Sequence, residues 1–258
     1  MSMIPEHLRQ VADDVVAEAA KDPRVLAVVA GGSVASGTSD EYSDLDLVLV
    51  CTAEGQPACL AEAKEFAARV GPLLSSFTGE HVGEPRLLIA LYGPPPVHVD
   101  LKFVTPDGLR TRVEDGVVLW QRDDTVDKVR ADSEASWPPP DPQWIEDRFW
   151  VWVHYAAVKI ARGELFEAIE VLGALRSAAI APLATLGRTA RPAGVRRLET
   201  LAPELLPQLR ATIATADADD CRRALRAAVD VYRTVREGVP MVRRTAAEEA
   251  VVAFLRAS

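Results

Sequence analysis

Apolar positions along this chain follow two different rhythms. In the first half they form short strand-like blocks. Val25-Leu26-Ala27-Val28-Val29-Ala30 is a continuous apolar run with the length and β-branching of a buried strand. Leu45-Asp46-Leu47-Val48-Leu49-Val50 is a second. Val97 to Val104 alternates cleanly, with Val97, Val99, Leu101 and Phe103 on one face and His98, Asp100 and Lys102 on the other. Further strands are expected near Arg86–Leu91 and Val117–Trp120. An amphipathic helix is expected over Met1–Lys21, a short one after the Gly31-Gly32-Ser33 turn, and another over Pro57–Val70.

The rhythm changes after Ser136-Trp137-Pro138-Pro139-Pro140-Asp141-Pro142. Consecutive prolines continue neither a helix nor a central strand and make a stiff extended linker. Beyond it, helical spacing and many alanines predict helices over Gln143–Arg162, Glu164–Leu186, Val195–Leu201, Glu204–Ala214, Asp217–Glu237 and Thr245–Arg256. The expected organisation is a first domain over 1–135, a proline-rich linker over 136–143 and an all-α domain over 144–258.

Composition narrows the setting. At 258 residues the chain can bury one large core or two modest ones. No apolar run approaches the ~20 residues that span a bilayer. The acidic N-terminal helix does not read as a cleavable signal. Cys51, Cys59 and Cys221 are odd in number and lack metal-ligand spacing, as expected of reduced thiols in the cytoplasm. The net charge of −9 is uneven: up to Ala135 there are 12 Lys/Arg against 23 Asp/Glu, and from Ser136 onward 17 against 15. Neither part carries the basic footprint of a nucleic-acid binder. An acidic surface favours a small cationic partner instead.

The candidate chemistry lies among the strands. Alternate residues on a strand point the same way, so Asp44 and Asp46 are expected to project together from one strand. Like charges held that close call for a shared proton or a cation. Hard oxygen donors suit Mg²⁺, which keeps waters and completes its shell through phosphates. A helix beginning at Ser33 would offer free N–H groups and a hydroxyl to an anion. Asp100, mid-strand with apolar flanks, is expected to face the same pocket, as a metal ligand, a proton acceptor or both. This points to nucleotide-dependent phosphoryl or nucleotidyl transfer.

In the helical half, Ile145, Phe149, Val153, Ala156 and Ile160 form an expected buried stripe. Arg148, Trp152, Tyr155, Lys159 and Arg162 run beside it. Such a set of cations and aromatics suits a triphosphate with a stacked base or sugar. It also suits core extension and ion pairing with Glu146 or Glu164. Glu164 and Glu167 follow Gly163, where a carboxylate favours a helix start. One of them binding an ammonium group or acting as a base is the functional alternative. His7, His81, His98 and His154 have no mutual spacing that suggests a metal site.

Gly32-Ser33-Val34-Ala35-Ser36-Gly37, then Ser43-Asp44-Leu45-Asp46, then Val99-Asp100-Leu101 resembles the DNA polymerase β-type nucleotidyltransferase superfamily, in its aminoglycoside and lincosamide nucleotidyltransferase branch. The resemblance covers roughly the first hundred residues, and less specifically the helical remainder. It implies an α+β fold: an N-terminal mixed sheet with helices, then a C-terminal helical domain that closes over the nucleotide. It further implies two Mg²⁺ ions held by Asp44, Asp46 and Asp100. ATP or another nucleoside triphosphate would be held at Gly32, Ser33 and Ser43, with Lys159 reaching its phosphates. The implied reaction moves a nucleoside monophosphate, AMP above all, to a hydroxyl of a small molecule, either an aminoglycoside-type antibiotic, which would confer resistance, or a housekeeping metabolite, releasing pyrophosphate. Tyr155, Arg162, Glu164 and Glu167 are the expected acceptor contacts, and the protein is expected as a monomer or homodimer. Three alternatives stay open: an antitoxin-like enzyme attaching AMP to a protein, a nucleotide-binding regulator without turnover, and an interaction protein whose aspartates are surface charges.

Overall fold

The computed structural model describes residues 4–189 and 191–257. The chain divides into two compact units, Met1–Trp137 and Pro138–Ser258. The division falls inside the proline-rich run, and no regular structure spans Ser133 to Asp141.

The first unit contains, in order, α1 (Glu6–Lys21), β1 (Val25–Ala30), α2 (Gly32–Ser36), β2 (Leu45–Cys51), α3 (Gln56–Ala61), α4 (Ala63–Val70), β3 (Leu73–Gly79), β4 (Glu84–Tyr92), β5 (Val97–Val104), α5 (Pro106–Leu109), β6 (Val117–Gln121) and α6 (Thr125–Asp132). The six strands form one mixed sheet in the order β3-β4-β5-β2-β1-β6. β2 and β5 run parallel, and the other neighbours are antiparallel.

Alternation along the strands gives the sheet two unequal faces. On one, Leu45, Leu47 and Leu49 of β2 and Val99, Leu101 and Phe103 of β5 pack against Leu8, Ala12, Val15 and Ala19 of α1 and Phe66 of α4. Each such leucine is worth about 1.5–3 kcal/mol when fully buried, so this face fixes the register of both strands. On the other, a smaller cluster of Val29, Val50, Val104, Leu109, Val126 and Val129 lets α5 cover the ends of β2 and β5 while α6 lies over β1 and β6. Earlier along β2 and β5 that face carries Asp46, His98 and Asp100.

The second unit is helical: α7 (Pro142–Ala161), α8 (Leu165–Leu175), a π-helical turn (Arg176–Ile180), α9 (Ala181–Ala184), α10 (Leu198–Leu201), α11 (Leu206–Ala211), α12 (Ala218–Val235) and α13 (Thr245–Ala257). Pro142 starts α7 at a position where its missing N–H is not needed, and the Asp141 carboxylate caps the Gln143 and Trp144 amides at 2.9 and 3.0 Å. The expected stripe of Ile145, Phe149, Val153, Ala156 and Ile160 is buried, and Trp150 and Ala157 widen it. Phe149 stacks on Tyr232 of α12 with ring centroids 3.5 Å apart.

Inside this core lies one carboxylate, Glu146, at 0% exposure. It accepts hydrogen bonds from Tyr232 Oη at 2.6 Å, the Arg244 amide at 2.9 Å and Trp150 Nε1 at 3.3 Å. Arg236 Nη1 reaches both of its oxygens at 3.1 Å. Arg236 also pairs with Glu248 of α13 at 2.5 Å. Burial alone would raise the Glu146 carboxyl. Tyr232, the Arg244 amide and Arg236 outweigh it and hold the group below its ordinary value.

Several expected elements differ in extent. The helix expected over Glu164–Leu186 is interrupted by the π-helical turn, where the Arg176 guanidinium bonds the Thr212 carbonyl at 2.7 Å. The helix expected over Val195–Leu201 is only α10, because Arg197 has a left-handed backbone (φ 56°). β3, α5 and α6 are further elements that the apolar pattern did not signal. The expected N-terminal helix begins at Glu6, and Met1 to Met3 lie outside the described residues. Among the described residues no helix is long and apolar enough to cross a membrane.

Candidate active site

β1 ends in the Gly31-Gly32 turn, and the site is built around it. The Gly31 amide donates to the Asp46 carbonyl oxygen at 2.8 Å, tying the turn to β2. Gly32 has φ +56°, and a Cβ on it would stand 1.9 Å from Asp46 Oδ2. Only glycine allows both that backbone conformation and the close approach of the carboxylate. α2 starts at Gly32, one residue earlier than expected, and the Ser33 hydroxyl accepts from Ser39 Oγ at 3.0 Å. Ser43 is engaged locally. Its hydroxyl donates to Asp40 Oδ1 at 3.0 Å and accepts the Asp40 amide at 2.9 Å, closing the loop that leads into β2.

Asp46 and Asp100 are direct partners in the parallel β2–β5 ladder. Asp44 stands just before the first residue of β2 and is half-buried, as are Asp46 and Asp100. Burial pushes the Asp100 carboxyl above its ordinary value, His98 pulls it down, and the nearby Asp44 charge pushes it up. His98 Nε2 lies 2.9 Å from Asp100 Oδ1. Lys102, two residues along the same face, is drawn to Glu84 at 2.7 Å. The Glu84 carboxyl is held down to about 2, first by Arg86 and then by Lys102.

This donor set fits a hard divalent cation in its chemistry: carboxylate oxygens from adjacent strands, mutually repelling, beside a turn free of side chains. It is not drawn together into a closed cage. Among the described residues no group of three or more His, Cys, Asp or Glu is close enough to hold an ion.

The structure adds a carboxylate that the spacing of motifs did not single out. Glu114, in the loop before β6, accepts the Gly32 N–H on Oε1 at 2.7 Å. It reaches the turn because β6 pairs with β1, Val117 opposite Ala30. No local signal in Arg112-Val113-Glu114-Asp115-Gly116 marks that tertiary contact.

The other expected site residues lie in the second unit and form one knot. Lys159 Nζ pairs with Glu164 Oε2 at 2.6 Å and Glu167 Oε2 at 2.9 Å, and lies 5.0 Å from the centre of the Tyr155 ring. The Tyr155 hydroxyl donates to Glu167, and Arg162 Nε reaches Glu164 Oε1 at 3.0 Å. Glu164 and then Glu167 raise the Lys159 ammonium above its ordinary value. Tyr155 and then Lys159 hold the Glu167 carboxyl below its own. Arg148 and Trp152 do not join the knot. Arg148 stacks over Trp144 at 4.2 Å, and Trp152 packs edge-on against that same ring.

A crystal structure of an aminoglycoside 6-adenyltransferase from Bacillus subtilis is similar at 15% identity over 96% of this chain and 97% of that one, with a TM-score of 0.39. A nucleotidyltransferase-like protein from Exiguobacterium sibiricum 255-15 is similar at 12% identity over 88% of this chain and 75% of that one, with a TM-score of 0.38. None of the curated proteins matches. The family model for streptomycin adenylyltransferase matches residues 6–185, which takes in the whole sheet, the Gly31-Gly32 turn and all three aspartates. The expectation raised by the Gly-Ser and Asp-x-Asp pattern is therefore met: this chain belongs to the streptomycin adenylyltransferase family and is a nucleotidyltransferase.

Proposed function

We propose that the protein transfers AMP from ATP to a hydroxyl of an aminoglycoside-type antibiotic, releasing pyrophosphate. The observation that carries this reading is the registration of Asp46 beside Asp100 at the Gly31-Gly32 turn, in a chain of the adenylyltransferase family. Asp44, Asp46 and Asp100 would hold two Mg²⁺ ions, which when bound supply charge neutralisation for the triphosphate and the departing pyrophosphate.

The remaining chemistry belongs to the chain's own residues. Gly32 and Ser33 would flank the β- and γ-phosphates, with the Ser33 hydroxyl as a donor, since the Gly32 amide is already taken by Glu114. Asp100 would take the proton of the acceptor hydroxyl as its oxygen bonds to the α-phosphorus and the bond from that phosphorus to the β-phosphate oxygen breaks. Burial already raises the proton affinity of this carboxyl, which suits a base. His98, at hydrogen-bond distance, would keep its orientation. The gain comes mainly from alignment and from fixed charge facing the developing charge.

In the second unit, Glu164 and Glu167 would exchange Lys159 and Arg162 for the ammonium groups of a polycationic acceptor. Tyr155 would orient Glu167, and Lys159 would be released from both carboxylates. The first unit then acts as the catalytic domain and the second as the acceptor-binding and closing domain. The setting is the cytoplasm, with no nucleic-acid partner, and the working form a monomer or homodimer.

The test is pyrophosphate release with each of four nucleoside triphosphates against a panel of aminoglycosides, lincosamides and simple polyols. ATP with an aminoglycoside is the expected productive pair, accompanied by resistance in a sensitive host. Release with no member of the panel overturns the acceptor class. A mass shift on a protein instead transfers the activity to protein modification.

A further inference from the structure

Glu114 enters the site from a loop that the fold holds with unusual care. Arg112, with its side chain only 7% exposed, bonds Asp115 Oδ1 at 2.5 Å, Ser133 Oγ at 2.8 Å and the Ser133 carbonyl at 2.6 Å. Arg130 donates to the Gly116 carbonyl. Gly116 itself sits so close to β1 that a Cβ would fall 2.5 Å from the Ala30 carbonyl oxygen. Two arginines and a glycine thus press the 113–116 segment onto the end of β1 and aim one carboxylate at one amide.

That amide belongs to Gly32, the residue whose missing Cβ lets Asp46 lie against the backbone. The turn is gripped at two successive N–H groups, Gly31 by the Asp46 carbonyl and Gly32 by Glu114 Oε1. Asp46 and the turn therefore share one geometry, and Glu114 sets the half of it that β2 does not.

We propose that Glu114 is a positioning residue for nucleotidyl transfer. It holds the Gly32 amide, fixes the left-handed turn and so fixes where the Asp46 carboxylate stands. This rests on the reading of Asp46 as a metal-holding residue. What Glu114 contributes is an acceptor oxygen at a given place, and glutamine carries such an oxygen too.

The first measurement needs neither nucleotide nor metal: hydrogen exchange at the Gly32 amide of the free full-length protein. Glu114→Ala is expected to speed exchange by about tenfold or more, the loss of a charge-assisted hydrogen bond. Glu114→Gln should stay within about threefold of wild type. In turnover, Glu114→Ala should lower kcat by roughly 10- to 100-fold and raise the Mg²⁺ concentration for half-maximal rate. Glu114→Gln should recover most of that loss.

Unchanged exchange and kcat in Glu114→Ala would overturn the proposal. So would a Glu114→Gln variant with wild-type exchange but the turnover defect of alanine, since charge and not placement would then be what matters. If Glu114→Ala does not fold, Gly116→Ala is read in the same way, because its methyl group must push the loop off β1. If Asp46→Asn keeps its turnover, the metal reading fails by itself, while Gly32 exchange still decides whether Glu114 holds the turn.

Discussion

Two acidic settings in this chain answer the cost of a desolvated carboxylate in opposite ways. Glu146, fully buried in the helical unit, is surrounded by donors: a tyrosine, an indole, a backbone amide and an arginine that is itself paired again with Glu248. Asp46 and Asp100, half-buried on the sheet, stand side by side with Asp44 close by, and Lys102 on the same face is bound to Glu84. The first arrangement is complete without help and adds to the fold. The second keeps like charges together, and the surrounding structure has to tolerate the repulsion. Neighbouring like charges of this kind are the setting in which carboxylate proton affinities are shifted, as burial and the Asp44 charge do at Asp100.

The contrast can be broken at either end. The largest effect is expected in the sheet: Asp46→Asn should cut nucleotidyl transfer by about 10²–10³-fold or more, while the melting temperature stays at or above that of wild type. A large loss of stability instead would make Asp46 structural. Next comes Glu146→Ala, which leaves Arg236 buried beside a void and should cost about 3–5 kcal/mol in denaturant unfolding. Tyr232→Phe removes only one donor and should cost about 1 kcal/mol. A Glu146→Ala protein as stable as wild type would show that the buried pair contributes nothing.

Proton linkage sharpens the same point. Glu146 and Glu248 are both held below the ordinary 4.5 of a glutamate. Their contribution is therefore fully present above that value and is lost as pH falls through the lower folded values. Denaturant unfolding followed from pH 7 to pH 3 should show stability falling below about 4.5, a slope that Glu146→Gln reduces. The smallest effect is expected in the solvent-facing knot, where Glu167→Gln should raise KM for a cationic acceptor roughly three- to tenfold, more at low salt. A KM independent of both charge and salt would remove Glu167 from the acceptor surface.

What the sequence showed depended on how many neighbours each segment buries. β1, β5 and α7 were legible nearly to the residue because long apolar blocks or clean alternation reflect burial on a whole face. β3 was not: it is an edge strand, Leu74 and Phe77 are half-exposed, and Ser75 and Ser76 break any alternation. α6 contributes only Val126 and Val129 to a small cluster, too little for a helical period to stand out. Among the candidate site residues, Asp44, Asp46, Asp100, Gly32 and Ser33 were open to proposal because each stands in a short motif, an acid in or beside an apolar strand or a residue of a glycine turn. The carboxylate on Gly32 was invisible, since its partner lies 82 positions away and is reached only through the β1–β6 pairing.

The parallel pairing of β2 and β5 has a consequence for how such a protein diversifies. Between the two strands, residues 52–96 carry α3, α4, β3 and β4, and only β4 returns to lie beside β5, with Ile89 opposite Asp100. The parts of that excursion outside β4 can be lengthened, shortened or rewritten while the Leu45–Val99 and Leu47–Leu101 pairs and the β4–β5 ladder keep the strands from slipping. A lineage can therefore remodel a large part of the surface of its first unit without moving the acids that flank it.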